Sequence, residues 1–172
     1  FSAKQMKKIR IEDLLEREPI QIENQQLIQD IKGKRILVTG AAGSIGSELV
    51  RLLNKLEPTI LILCDQAETP LHDIELELND QHSNVQCIPY LTDINNKVRM
   101  AALFEKFKPQ VIYHAAAYKH VPMMEFNPEE AIKVNALGTQ LLADLAIQYK
   151  AERFVMISTD KAVNPTNVMG AS

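Results

Sequence analysis

The sequence predicts an α/β fold in which one parallel sheet is covered by helices on both faces. Short runs whose interior positions are all apolar, such as RILVT at 35–39 and TILILC at 59–64, alternate with longer stretches whose apolar positions have helical spacing. A strand without polar positions has both faces covered, and alternation with helices makes neighbouring strands parallel. We therefore expect a doubly wound sheet, and right-handed crossovers leave few other topologies.

The predicted elements alternate regularly from residue 34 onwards. Strands are expected at 35–39, 59–64, 85–90, 111–114 and 154–157, and helices at 44–56, 71–78, 100–107 and 128–149. Pro128 supports the start of the last helix, because the first helical position needs no N–H donor. We expect the sheet to be truncated after its fifth strand.

Residues 1–33 differ from the rest of the chain and are expected to form an N-terminal arm or linker. Short helices are predicted at 11–18, before Pro19, and at 23–31, before Gly33. Residues 34–172 are expected to form a single domain, as the length of 172 residues suggests.

Composition and charge argue against several classes of function. A net charge of −3 disfavours nucleic acid as a partner. No apolar run approaches the roughly 18 residues of a membrane-spanning helix. Cys64 and Cys87 lie in apolar strand-like runs and are expected to be free thiols, and no His/Cys/Asp spacing indicates a metal.

A glycine-rich segment, TGAAGSIG, joins the first strand to the first helix. Gly40 permits a tight turn, Gly43 lets the backbone approach a pyrophosphate, and Gly46 lets helix and strand pack closely. The amides that open the helix, near Ser44 and Ile45, face the phosphate charge together with the helix dipole. Strand, loop and helix together predict a Rossmann-type dinucleotide-binding site.

An acidic residue at the end of the second strand favours NAD as the cofactor. Asp65 follows Gly46 by 19 residues, where a carboxylate accepts hydrogen bonds from the adenosine ribose hydroxyls. It would repel the 2′-phosphate of NADP, and Gln66 supplies no positive charge. Capping the helix that begins near Ala67 is a second role for Asp65, and NADP stays open.

The spacing Gly-x-x-Gly-x-x-Gly resembles the extended short-chain dehydrogenase/reductase family. Further matches are TDI after the third strand, HAAA after the fourth and VNALGT in the long helix. The resemblance implies that Asp93 contacts the adenine, that Asn135 orders the site and that Gly138 packs on the sheet. The cofactor contacts that it implies in these segments and after the fifth strand are Asp93, Ile94, Ala115, Ala116, Ala117, Asn135 and Ser158.

Two stretches, AYKHVP at 117–122 and STDKAVNP at 158–165, resemble the polysaccharide-biosynthesis branch of that family. This branch contains UDP-N-acetylglucosamine 4,6-dehydratases, and KIRIEDLLEREPIQIE resembles the segment that joins their membrane helices to the soluble domain. The resemblance implies a homo-oligomeric enzyme of glycan precursor synthesis. It would work in the cytoplasm. If the full protein has the family's membrane helices, it would work at the cytoplasmic face of the inner membrane, and these helices are expected to be absent from this chain.

Such a dehydratase moves a hydride from the sugar 4-carbon to NAD, removes the 5-proton, expels the 6-hydroxyl as water and returns the hydride to the 6-carbon. By resemblance Asp160 is the acid for water loss, Lys161 is the base and Thr159 orients the 4-hydroxyl. Lys161 needs a lowered pKa, which Asp160 beside it opposes, so the pair would titrate as a unit. In the alternative, Asp160 caps a turn and Lys161 is solvated.

Met169 stands where the wider family has a tyrosine, and its thioether has no proton to exchange. The proton of the 4-hydroxyl must then leave through Lys161, Asp160 or a water, while Met169 either belongs to the site or fills an apolar gap. Lys119 and His120 follow the fourth strand. The resemblance implies that they contact substrate, and an exposed pair is the alternative.

The resemblance thus implies the cofactor-binding part of a nucleotide-sugar 4,6-dehydratase, with UDP-N-acetylglucosamine as substrate. The part that binds the sugar nucleotide is expected to lie beyond Ser172, so the chain alone should bind cofactor without turnover. Two alternatives stay open. One is a nucleotide-sugar epimerase or reductase, in which Asp160 and Lys161 would be idle, and the other is a non-catalytic NAD-binding module.

Overall fold

A computed structural model of the chain describes residues 25–80 and 85–172. Its five strands form one sheet in the order β3-β2-β1-β4-β5, and every neighbouring pair is parallel. The strands are β1 (Arg35–Thr39), β2 (Ile60–Asp65), β3 (Gln86–Leu91), β4 (Val111–His114) and β5 (Arg153–Met156). The prediction of a parallel sheet with flanking helices is confirmed, and β5 is an edge strand.

Helices connect the strands as expected over the first half of the chain. After α1 (Gln25–Ile31), which precedes β1, these connecting helices are α2 (Ser44–Asn54), α3 (Glu68–Asp80) and α4 (Lys97–Phe107). The side chain of Asn96 caps α4 by accepting from the Arg99 amide, and Lys108 ends it in the left-handed region at φ 46°. The predicted helix at 11–18 lies outside the described residues.

The second half of the chain differs from the prediction. The expected helix at 128–149 is a continuous helical run, but it consists of α6 (Pro128–Ala131), a π-helical segment (Ile132–Gly138) and α7 (Thr139–Gln148). Two short helices, α5 (Val121–Phe126) and α8 (Val168–Ala171), and a 3₁₀ turn at Asp160–Ala162 were not predicted. Each is one or two turns long, too short to show a helical apolar period.

Side chains of the central strands alternate between two separate apolar layers. Leu37 and Ile62 point to the layer that α4 and α7 cover, whereas Ile36 and Leu61 point to the layer beneath α1, α2 and α3. All four side chains are fully buried. Burial on both faces explains why the middle positions of these strands are apolar.

The strand register brings the carboxyl ends of the central strands to one edge of the sheet. Thr39 is in register with Cys64 on one side and with His114 on the other, and His114 with Met156. Strand order reverses between β1 and β4, which is the switch point where open α/β sheets bind ligands. The outermost strand on the side away from β5 is β3, and it contains Pro89.

Candidate functional site

The backbone of the glycine loop makes contacts too close for any side chain, both with the segment that follows β4 and within the loop. Gly40 has φ +67°, and a Cβ there would lie 2.6 Å from the backbone nitrogen of Ala116. A Cβ on Gly46 would lie 1.9 Å from the carbonyl oxygen of Gly40. The positive φ of Gly40 fits the tight turn predicted for it, whereas the close contact at Gly46 is with Gly40 of the loop itself and not with a strand.

Gly43 has a different role, because it leaves space in front of the loop. A Cβ there would meet only the Gly40 oxygen at 3.3 Å, and Gly43 lines a crevice. Gly43 is also the N-cap of α2, which has no side-chain capping bond. The first amides of a helix lack intrahelical partners, so those of α2 can bind an anion. Ser44 is exposed and lies outside the lining of both crevices described below.

Asp65 braces the glycine loop from the end of β2. One carboxylate oxygen accepts from the amide of Ala42 at 2.9 Å, and the other accepts from the amide of Ala67 at 3.0 Å. Asp65 therefore bridges to the glycine loop through Ala42 and also caps the backbone at Ala67, just before α3. Because each oxygen makes only one of these bonds, both keep acceptor capacity toward the crevice that Asp65 lines.

Two crevices meet along the segment that follows β4. The first has a volume of about 230 Å³ and the second about 400 Å³. Both are lined by Ala115, Ala116, Ala117 and Tyr118, so they form one continuous groove. Predicted site residues that line only the first are Gly40, Gly43, Asp65, Gln66, Asp93 and Ile94. Those that line only the second are Ile45, Lys119, Asn135, Ser158, Thr159, Lys161 and Met169.

The loop after β3 presents Asp93 to the first crevice. Asp93 Oδ1 accepts from the backbone amide of Asn95 at 2.8 Å and from its side-chain amide at 3.0 Å. Gly138, for which the resemblance implies packing on the sheet, has its nearest neighbours in this loop. A Cβ on Gly138 would lie 2.7 Å from Cδ1 of Ile94, so its small size accommodates this loop and not a strand.

Asn135 ties the π-helical segment to the loop after β4. Its Oδ1 accepts from the amide of Tyr118 at 2.8 Å, and its Nδ2 donates to the Tyr118 carbonyl and to Ser172 Oγ, each at 3.0 Å. Both N–H groups of the side chain are therefore engaged within the protein. This arrangement matches the predicted ordering role better than direct contact with a cofactor.

The segment after β5 brings Thr159 and Lys161 to the second crevice, but Asp160 is not part of its lining. The Thr159 hydroxyl donates to Asp160 Oδ1 at 3.0 Å, and Lys161 Nζ lies 3.4 Å from the same oxygen. The Asp160 side chain is 88% exposed and that of Lys161 50%. The Thr159 hydrogen bond, followed by the charge of Lys161, lowers the pKa of Asp160.

Met169 is buried against Met124 and Ala131 while it lines the second crevice. It therefore fills an apolar gap, as one of its two sequence interpretations states. Of the two predicted substrate contacts, Lys119 lines the crevice, whereas His120 is exposed at the N-cap of α5 and outside either lining. The alternative interpretation of an exposed residue thus fits His120.

Sequence reasoning missed two residues of the groove, Tyr118 and His114. Tyr118 lines both crevices, and its hydroxyl lies 3.3 Å from Nε2 of Gln66. His114 is buried between the hydroxyls of Thr39 and Thr139. Both residues stand in the motif YHAAAYKHVP, which was the available signal, but their partners are distant in sequence.

Both cysteines have thiols with raised pKa values. Burial raises the pKa of Cys64 to about 12 and that of Cys87 to about 11, and both are free. Over residues 25–80 and 85–172, no group of three or more His, Cys, Asp or Glu side chains could hold a metal. Among the helices described, none is both long enough and apolar enough to cross a bilayer.

The parallel sheet, the glycine loop and the groove at the strand ends define a Rossmann-type α/β protein. The fold of Pen from Bacillus thuringiensis is similar, with a TM-score of 0.75 at 30% identity over 82% of this chain and 43% of that one. The model of the polysaccharide biosynthesis protein family matches residues 36–172, and the chain belongs to this family.

Several relatives agree with this assignment. The capsular polysaccharide biosynthesis protein CapD of Staphylococcus aureus is 46% identical over 97% of this chain. An inverting UDP-N-acetylglucosamine 4,6-dehydratase of Campylobacter jejuni is 34% identical, and a UDP-glucose 4-epimerase of Rickettsia canadensis 32% identical, each over 81% of the chain. The chain spans 28% of the first protein and 40% of each of the others. It is thus related to nucleotide-sugar dehydratases and epimerases.

Proposed function

We propose that residues 34–172 are the NAD-binding domain of a nucleotide-sugar 4,6-dehydratase that acts on UDP-N-acetylglucosamine. Residues 1–33 would form an arm, and the part that binds the sugar nucleotide would lie outside these 172 residues. The observation that carries the proposal is the position of Thr159 and Lys161, which line the same crevice as Ile45 and Ala115. A hydroxyl and an amine thus lie in one groove with the first turn of α2.

The residues of the first crevice fit a dinucleotide. Gly43 leaves open the space that a side chain would fill, and the first amides of α2 have no capping side chain. Asp65 keeps acceptor capacity for ribose hydroxyls and supplies a negative charge, which favours NAD over NADP. When bound, NAD supplies the hydride acceptor and donor, whereas this chain orients the sugar and moves its protons.

Loss of water needs a base at the sugar 5-carbon and an acid at the 6-hydroxyl. We assign the base to Lys161 and the acid to Asp160, with Thr159 orienting the 4-hydroxyl. Asp160 lies outside the lining of the crevice, and its pKa is lowered, which opposes proton donation. Burial beneath a bound sugar would disfavour the charged carboxylate and raise that pKa. The proposed role of Asp160 as the acid therefore requires that bound substrate covers its side chain.

Product analysis tests the dehydratase directly. A protein that carries this chain together with the substrate-binding part is incubated with UDP-N-acetylglucosamine and NAD, and the product is examined by mass spectrometry and proton NMR. We expect loss of one water and a 4-keto, 6-deoxy sugar. Asp160→Asn should abolish water loss and leave NAD affinity unchanged. Unimpaired water loss in that variant would refute the role of Asp160.

A nucleotide-sugar 4-epimerase is the second candidate, and the exposure of Asp160 favours it. Epimerisation needs oxidation at the 4-carbon only, so an acid for water loss is unnecessary. A product of unchanged mass with inverted 4-carbon would establish this reaction. Tight NAD binding without any conversion would favour a different sugar nucleotide or the non-catalytic module.

We also propose a homo-oligomer that works in the cytoplasm on surface polysaccharide or glycan precursors. Relatives named for polysaccharide biosynthesis support that setting. Attachment to the inner membrane would need membrane-spanning helices, and none of the helices in the described part of the chain could cross a bilayer.

A further inference from the structure

His114, at the end of β4, is a buried polar residue that the proposed reaction does not use. It is 3% exposed, and its ring lies between two hydroxyls. Oγ1 of Thr39 is 2.7 Å from Nδ1, and Oγ1 of Thr139 is 2.8 Å from Nε2. The ring of Phe154, from β5, lies beside it with 5.9 Å between centroids. None of these three neighbours carries a charge.

The directions of these hydrogen bonds follow from Thr139. Its hydroxyl proton is donated to the backbone carbonyl of Asn135, so its oxygen can only accept from the imidazole. Nε2 of His114 therefore carries a hydrogen, and in a neutral ring Nδ1 accepts from Thr39. Burial favours that neutral ring and lowers the pKa of His114 to about 4.

The hydrogen bonds continue on either side of the imidazole. Thr39 is followed directly by Gly40 of the glycine loop. On the other side Thr139 holds Asn135, whose side chain binds both backbone groups of Tyr118. The chain of contacts thus joins the glycine loop to the segment that lines both crevices. It passes through a π-helical segment, a feature that is frequent at functional sites.

We infer that His114 is a positioning residue that bridges Thr39 and Thr139 as a neutral donor and acceptor. Through Thr139 it fixes the π-helical segment, and through Asn135 it fixes the backbone of Tyr118 along the groove. The inference rests on the proposed function for the identity of the ligands. The hydrogen bonds themselves belong to this chain and can be tested without ligand.

Amide hydrogen exchange at Tyr118, followed by NMR, tests the bridge. Thr139→Val removes the acceptor for His114 and the donor to Asn135, whereas Thr139→Ser keeps both and is the matched control. We expect exchange at Tyr118 to rise roughly tenfold in Thr139→Val, with the amide of Ile62 in β2 unchanged. Thr139→Ser should behave like the original chain. Equal exchange at Tyr118 in the two variants, or a parallel rise at Ile62, would overturn the inference.

A second measurement needs no variant and so does not depend on whether one folds. Long-range proton–nitrogen NMR of the imidazole distinguishes its tautomers. We expect a hydrogen on Nε2 of His114 and none on Nδ1 at pH 7. An Nδ1–H tautomer or an imidazolium would overturn the bridge. Failure of the unmodified chain to bind NAD would instead refute the proposed function and leave the exchange and tautomer results intact.

Discussion

Acidification from pH 6.5 to about pH 4 should destabilise the folded chain, because burial lowers the pKa of His114. The unfolded chain has an ordinary histidine pKa of 6.5, and the folded chain a pKa of about 4. Between these values the unfolded state binds more protons, so stability is lost as the pH falls from 6.5 to 4. The difference corresponds to roughly 3 kcal/mol of unfolding free energy, fully lost below pH 4.

Urea unfolding followed by circular dichroism at several values between pH 7 and pH 4 measures this loss. The matched variants are His114→Asn, which removes the buried imidazole, and His72→Gln, which removes an exposed histidine on α3. We expect His114→Asn to be less stable at pH 7 but to lose roughly 3 kcal/mol less on acidification than the original chain. His72→Gln should follow the original curve. The same pH dependence in His114→Asn and the original chain would refute the assignment to this residue.

Three further predictions concern the glycine loop, the carboxylate behind it and the thiols. Gly46→Ala should lower the unfolding free energy by about 2 kcal/mol or more, because its Cβ would lie 1.9 Å from the Gly40 oxygen. Gly33→Ala is the control, because a Cβ there meets no atom within 4 Å and only the φ of +73° disfavours it. It should lower the unfolding free energy by about 1 kcal/mol. Equal decreases in unfolding free energy for the two variants, measured by urea unfolding, would contradict the packing argument. Asp65→Asn should weaken NAD binding at least tenfold in calorimetric titration, since the variant loses the negative charge. The difference between the affinities for NAD and NADP should also become smaller. An unchanged ratio of the two affinities would count against this role of Asp65. Cys64 and Cys87 should resist a thiol reagent at pH 8 in the folded chain and react rapidly in urea, because burial raises both pKa values far above that pH. Rapid labelling of the folded chain would show that the thiols are accessible.

The fold was predictable because its signals are local. The signals are strands with apolar interiors, the spacing of the three glycines in the loop, and Asp65 at the end of β2. Each occupies a short stretch of sequence. The combination specifies which strand ends form the site. The polysaccharide-biosynthesis assignment also came from contiguous motifs and is confirmed by the family match.

The details of the site were less predictable because they depend on distant residues. Thr39 is 75 residues from His114 in sequence, and Thr139 is 25 residues from it, so no local pattern indicates that bridge. The π-helical segment keeps the apolar spacing of an ordinary helix closely enough to be read as one. The environment of Asp160 depends on whatever covers the groove, and its role stays a prediction.

The two edges of the sheet differ in their capacity to accept another strand. Pro89 lies in β3 and has no backbone N–H, which is tolerated because β3 is an edge strand. Proline at an edge also hinders an incoming chain, and this is one way in which proteins resist edge-to-edge aggregation. The other edge, RFVM in β5, contains no proline. An additional strand is therefore expected to pair with β5 and not with β3.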